Sequence, residues 1–262
     1  MSRLLTLLTD FGSQDSYVGA MKGVIYSLCP QATLVDLCHE VPAQDVAAGR
    51  WQLLQAVPYF PAGSVHLAVV DPDVGSDRRA VVIETAIGLL IGPDNGLWSG
   101  VLSRFPAQRA VSLTNPNYWQ SPQPDPTFHG RDIFAPVAAH LLNGVPLTEL
   151  GPLIDPASLQ TLIESHPQRS DQGWQGQIQA IDRFGNLITN LPAELGQTAA
   201  GLIWGDRWLP LARTYSEVAI GELLVLAGSH GYLEIAQRNG SAQQTLAANM
   251  GAVVRLVCGR AP

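Results

Sequence analysis

Leu4-Leu5-Thr6-Leu7-Leu8, then the turn Thr9-Asp10-Phe11-Gly12, a helical stretch over 17–28 and a second apolar run at 33–37 read as strand, turn, helix and strand. Within the helical stretch Val18, Met21, Ile25 and Leu28 share one face. The alternation continues. Residues 45–57 are helical, with Val46, Leu53 and Val57 as core candidates, and 65–70 form a third buried strand. Residues 80–85 and 88–91 look like a strand pair, 97–104 a short helix and 109–113 another strand. Strands alternating with helices predict an α/β domain: a mostly parallel sheet with helices on both faces.

Residues 114–128 form a loop rich in Pro, Asn and Gln, long enough to suggest a functional role. An amphipathic helix is expected over 131–142. The next stretch carries Pro146, Pro152, Pro156 and Pro167, so residues 151–173 read as a linker between an N-terminal domain (1–150) and a C-terminal domain (174–262). Beyond it the segments are short, strand-like and punctuated by Gly, Asn and Pro, which predicts an all-β, barrel-like domain.

Composition narrows the function. Of 262 residues, 46% are hydrophobic and 14% charged, so the chain buries a large core, and part of its surface is expected to face other subunits. The net charge is -7, and no Lys/Arg run is present to neutralise phosphates, which argues against nucleic acid and anionic membranes as partners. Cys29, Cys38 and Cys258 show no C-x-x-C spacing, so reduced thiols and no zinc knuckle are expected. Residues 1–8 lack a signal-peptide layout and no apolar run reaches membrane-spanning length, so a cytoplasmic location is expected.

In α/β sheets ligands bind beyond the carboxyl ends of the strands. The polar residues there are Asp10, Asp71, Asp94 with Asn95, and His129 with Arg131. Taken singly each has a plain reading. Asp10 suits a turn, Pro93-Asp94-Asn95-Gly96 is a turn, His129 suits a loop, and Asp132 complements a helix dipole. The segment from Val70 to Arg79 is more informative. Asp71 stands at a strand end and Arg78 follows across a Pro/Gly-shaped loop that can fold back onto it. With His129 these are the parts for orienting and deprotonating a water, so the residues alone reach a possible hydrolase cleft. Two further segments look like ligand loops. Asp182-Arg183-Phe184-Gly185-Asn186 offers an acid, an aromatic and an amide, and Gly228-Ser229-His230-Gly231-Tyr232 combines small and hydrogen-bonding residues.

Together Leu8-Thr9-Asp10-Phe11-Gly12, Val70 to Arg79, Gly92-Pro93-Asp94-Asn95-Gly96, Phe128-His129-Gly130-Arg131-Asp132, Asp182 to Asn186 and Ser229 to Ala236 resemble the S-adenosyl-L-methionine (SAM) hydroxide adenosyltransferases, relatives of the SAM-dependent chlorinases and fluorinases. The resemblance implies hydrolysis of SAM to adenosine and L-methionine by a homotrimer whose sites lie between subunits, with no cofactor and no metal. It implies that Asp71, Arg78 and His129 are catalytic and that Asp71 and His129 accept the hydrogens of water. It further implies that Asp10 binds the ribose, that Asp182, Phe184 and Asn186 hold the methionine and adenine ends, that Ser229 lies near the methionine carboxylate and that Asn239 lies near the adenine edge. The halogenating relatives carry an uncharged residue in place of Asp71 and lack the His at position 129, and a carboxylate in the nucleophile pocket repels halide. Where the family has Gly in its Asp-Pro-Gly-Val-Gly loop this chain has Asp73, which is expected to take a left-handed conformation less comfortably. A chlorinase, a metal-dependent hydrolase using Asp10, Asp71, His129 and Asp132, and a non-catalytic SAM or adenosine sensor are the competing readings.

Overall fold

A computed structural model describes residues 3–163 and 165–258. The chain divides into two compact units, Met1–Leu162 and Ile163–Pro262.

In the first unit β1 (Leu4–Thr9) is buried at every position but the first, as a strand covered on both faces must be. It pairs in parallel with β2 (Thr33–Cys38) and with β3 (Ser64–Val69), and β3 pairs in parallel with β5 (Gly88–Pro93). The connections are α1 (Tyr17–Leu28) and α2 (Val46–Ala56). α1 buries Met21 and Ile25, whereas Leu28, expected on the same face, lies in the last turn and is exposed. α2 starts at Asp45, whose side chain accepts the Ala48 N–H at 2.9 Å, one of the donors a helix start leaves unpaired.

β4 (Ala80–Thr85) joins β5 through two residues, too few for a crossover, so the pair is antiparallel. β6 (Arg109–Ser112) and β7 (Leu153–Ile154) extend that antiparallel side, in the order β2-β1-β3-β5-β4-β6-β7. The expected α/β class holds, with a larger antiparallel part than the strand–helix alternation suggests. Leu5, Leu7, Met21, Ile25 and Phe134 pack on one face of the sheet, and Leu8, Leu53, Val70, Leu97 and Val101 on the other. The last two belong to or flank α3 (Ser99–Arg104).

Residues 131–142 do not form one amphipathic helix. A π-helical turn at Gly130–Phe134 leads into α4 (Ala135–Leu142), in which every residue except His140 is buried. The apolar residues that suggested one buried stripe pack all around the helix. Wide turns of this kind tend to occur at functional sites, and this one opens directly after His129.

The named strands of the second unit all pair antiparallel. β9 (Gly173–Ile181), β10 (Leu187–Pro192), β11 (Ala199–Trp204), β12 (Arg207–Pro210), β13 (Leu223–Ala227), β14 (Tyr232–Gln237) and β15 (Val253–Cys258) take the order β12-β11-β15-β9-β10-β14-β13, and β8 (Gln168–Ser170) pairs with β9. A bridge between Leu211 and Val225, with the Ala212 N–H donating to the Val225 carbonyl at 2.8 Å, ties the two ends into a nearly closed barrel. Its interior holds Ile178, Leu187, Leu202, Val225, Leu233 and Leu256. Strand alternation explains the short pattern: along β9 buried positions recur at nearly every second residue. The stretch 151–173 is not bare connection, since β7 completes the first sheet and β8 lies on the second.

Candidate active site

Thr9 of β1 and Val69 of β3 are register partners, so Asp10 and Asp71 emerge at the carboxyl ends of neighbouring parallel strands. The loop after Asp71 folds back on itself. Val74 N–H bonds to the Asp71 carbonyl at 3.3 Å and Ser76 N–H to the Asp73 carbonyl at 3.1 Å. Gly75, at φ +83°, makes the left-handed turn, and a Cβ there would stand 2.5 Å from the Pro126 carbonyl oxygen. Asp73 is therefore not the strained position. Among the described residues the non-glycines with positive φ are Gln44, Asn239 and Ala247. The expectation of a left-handed Asp73 is corrected: the loop's sharp turn falls two residues later, on a glycine.

The fold-back delivers Arg78 to Asp71. Arg78 Nε donates to both carboxylate oxygens at 3.0 Å and Nη2 donates to Oδ2 at 2.5 Å. The two side chains are only 8% and 3% exposed, so this pair is shielded from screening by solvent. The guanidinium also lies over the Phe134 ring, 5.4 Å from its centroid. Arg78 Nη2 lies 2.8 Å from His129 Nδ1. A guanidinium only donates, so Nδ1 accepts, and in the neutral ring the hydrogen sits on Nε2. Burial and the adjacent Arg78 charge push His129 below its ordinary pKa, which keeps the imidazole neutral at neutral pH. Asp71, Arg78 and His129 thus form one chain of contacts.

The surrounding residues hold this chain in place. Asn95 donates to the Val70 carbonyl at 2.9 Å, fixing the end of the strand. Asp94 is buried and accepts from Arg79 Nε and from the Gln160 N–H, both at 2.8 Å, so Arg78 and Arg79 are drawn to different carboxylates. Buried Asp132 accepts from Arg131 Nε at 2.5 Å and from the Asp125 N–H at 2.8 Å, and so fastens the loop that precedes His129. Phe11, Tyr17 and Phe128 pack ring against ring at 5.2 to 5.9 Å, bringing the turn after β1 beside residue 128. Half-buried Asp10 accepts the Gln44 N–H at 2.7 Å. Thr9 Oγ1 meets His39 Nδ1 at 2.8 Å beneath that turn, and His39 Nε2 pairs with Asp36 at 3.0 Å, a support with no signal in the residue pattern. Among the described residues no group of three or more His, Cys, Asp or Glu side chains is arranged to hold a metal ion, and Asp94 and Asp132 are engaged by arginines.

In the second unit Asp182 ties its own turn. Oδ1 accepts the N–H groups of Phe184 and Asn186, and Oδ2 accepts Asn186 Nδ2, all at 2.9 Å. Gly185 at φ +80° completes the turn, which buries Asn186 and leaves the Phe184 ring 75% exposed. An exposed aromatic on a stiff turn is suited to stacking on a planar ligand. Ser229 is exposed in the turn between β13 and β14, and Asn239, at φ +53°, is exposed in the turn after β14. Sequence reasoning missed Tyr215 and Glu234, which form a polar cluster with His230. The one available signal is an acid in the middle of the apolar strand Tyr232–Gln237.

Two family models match the chain: the SAM hydroxide adenosyltransferase N-terminal domain over residues 5–151 and the C-terminal domain of the same family over 176–255. An (R)-S-adenosyl-L-methionine hydrolase of Salinispora arenicola is 39% identical over 97% of this chain and 98% of its own. One from Thermus thermophilus is 40% identical over 97% and 100%. A fluorinase from an Actinoplanes species is more distant, 28% identical over 89% and 90%. A crystal structure of an uncharacterized conserved protein from Thermotoga maritima superposes with a TM-score of 0.89 at 34% identity, covering 96% of this chain and 99% of that one. The chain belongs to the SAM hydroxide adenosyltransferase family.

Proposed function

We propose that this protein hydrolyses S-adenosyl-L-methionine to adenosine and L-methionine, and the observation that carries the reading is the contact chain Asp71–Arg78–His129 at the carboxyl end of β3. Water attacks the ribose C5′, the C5′–S bond breaks, and the sulfonium leaves as the neutral thioether of methionine. One proton is released per turnover. A neutral leaving group needs neither a general acid nor a Lewis acid, so the reaction calls for no metal and no cofactor. Catalysis rests on placing the water in line and removing its hydrogen.

The division of labour follows from the hydrogen bonds. Asp71 Oδ1 receives one of the three Arg78 contacts and keeps a lone pair for the water, so Asp71 is the base. His129 accepts at Nδ1 from Arg78 and therefore offers Nε2–H as a donor to the water oxygen. This revises the expectation that His129 also accepts a hydrogen. Arg78 aims both partners. The binding residues are read as Asp10 for the ribose, Asp182 and Asn186 for the methionine end, Phe184 for the adenine, Ser229 for the carboxylate and Asn239 for the adenine edge. We take the active form to be a cytoplasmic homotrimer in which each site combines the first unit of one subunit with the second unit of another. The relatives' names specify the (R)-sulfonium form, and this is the expected substrate form here.

The test is product analysis in chloride buffer for the wild type and Asp71→Asn. The wild type should release methionine and adenosine with no chlorinated nucleoside. Asp71→Asn should keep SAM affinity within about threefold while turnover falls by about a hundredfold or more. A chloride-dependent 5′-chloro-5′-deoxyadenosine would favour the chlorinase reading, and unchanged turnover in Asp71→Asn would remove its role as the base.

A further inference from the structure

In the second unit a carboxylate is buried where the reaction has no direct use for it. Glu234, in the middle of β14, is 5% exposed and lies between Ile188 of β10 and Leu226 of β13. Tyr215 OH donates to its Oε1 at 2.5 Å and His230 Nε2 lies 3.1 Å from Oε2. His230 Nδ1 accepts the Tyr232 N–H at 3.2 Å, so the hydrogen on Nε2 points at Glu234. Burial alone would raise the Glu234 pKa, but the bonds from His230 and Tyr215 outweigh it and hold the group below its usual range.

This cluster underlies the turn that carries Ser229. The turn between β13 and β14 closes through Gly228 N–H to the Tyr232 carbonyl at 2.9 Å and Gly231 N–H to the Gly228 carbonyl at 3.1 Å. It wraps tightly onto the imidazole and the acid. A Cβ on Gly228 would fall 2.2 Å from His230 Nε2 and 2.8 Å from Glu234 Oε2. Ser229 is carried on that turn. On the other side Glu234 is the register partner of Ile188, two residues beyond Asn186 at the end of the Asp182 turn.

We propose that Glu234 is a positioning residue for the amino-acid end of the substrate: through His230 it sets the turn that carries Ser229, while Tyr215 holds its other oxygen in place. It touches no substrate atom itself. The proposal rests on the hydrolase reading for the identity of the ligand, and it separates the ligand's two ends. Loss of Glu234 loosens the hold on the methionine moiety and leaves the adenosine moiety alone. Glutamine restores most of the geometry, because its amide oxygen accepts from His230 and its NH2 reaches the tyrosine oxygen.

The experiment is calorimetric titration of the full-length protein with SAM and, separately, with adenosine, alongside methionine release by the wild type. Glu234→Ala should weaken SAM binding by about tenfold or more while adenosine affinity stays within about twofold, and Glu234→Gln should return SAM to within about threefold of wild type. Retained adenosine binding reports that the variant is folded. Should Glu234→Ala not fold, Tyr215→Phe removes one of the two holders and should weaken SAM alone by about threefold. Equal weakening of both ligands, or unchanged SAM affinity in the variants, overturns the proposal. A wild type that binds SAM without releasing methionine overturns the hydrolase reading instead, and the two affinities still decide the role of Glu234. A wild type that binds no SAM overturns both.

Discussion

Arg78 organises the site at the level of single residues. It holds Asp71 through both carboxylate oxygens and occupies Nδ1 of His129, so one side chain fixes two others. The proposed mechanism needs a neutral imidazole, because protonation would place a hydrogen on Nδ1 facing the Arg78 guanidinium. Burial and the Arg78 charge lower the His129 pKa from its ordinary 6.5, so neutrality persists into mildly acidic solution. The expected profile of kcat/KM is therefore flat through neutrality and falls on the acid side with a midpoint below 6.5, the rate rising with pH. Steady-state rates across that range check it, and a midpoint at or above 6.5 would remove His129 from the array.

Elements show how much of this the sequence discloses. The bounds of α1 and the strand character of β1, β3 and β4 follow directly from hydrophobic spacing, and so does the position of Asp71 just beyond a buried run. The fold-back of 71–79 is legible because Pro72 and Gly75 leave the chain few alternatives. The π turn at Gly130–Phe134 is not legible, because its apolar residues also satisfy an ordinary helical pattern and only packing on all sides distinguishes the two. The Glu234 cluster is hidden because Tyr215 and His230 come from separate loops. β3 also carries a liability. His66 is fully buried on that strand, with Nδ1 bonded to Thr6 Oγ1 at 2.8 Å, and burial pushes its pKa down to about 4. The unfolded chain binds this proton from pH 6.5 downward and the folded chain only near pH 4, so the stabilising difference is complete above 6.5 and is lost as pH falls through that window. The loss amounts to about 3 kcal/mol by pH 4. Urea unfolding of His66→Gln at pH 7 and pH 4.5 should show a shallower loss than the wild type, and parallel losses would contradict the assignment.

On the scale of the whole molecule, Asp71, Arg78 and His129 lie in Met1–Leu162, and the loops at 182–186 and 228–239 lie in Ile163–Pro262; the proposed function assigns the nucleophile to the first unit and most of the substrate binding to the second. If sites combine units from different subunits, two defective variants should rescue each other. Asp71→Asn and Phe184→Ala, each impaired alone at low SAM, should recover activity when refolded together, because some mixed assemblies contain intact pairs. Activity no greater than the sum of the two would contradict a shared site. The claim that governs all the others is that the hydroxyl oxygen of the product comes from water. Purified protein incubated with SAM in 18O-labelled water should yield methionine and adenosine carrying the label at the 5′ oxygen, read by mass spectrometry. Unlabelled adenosine, or SAM left intact while bound, would contradict hydrolysis at C5′.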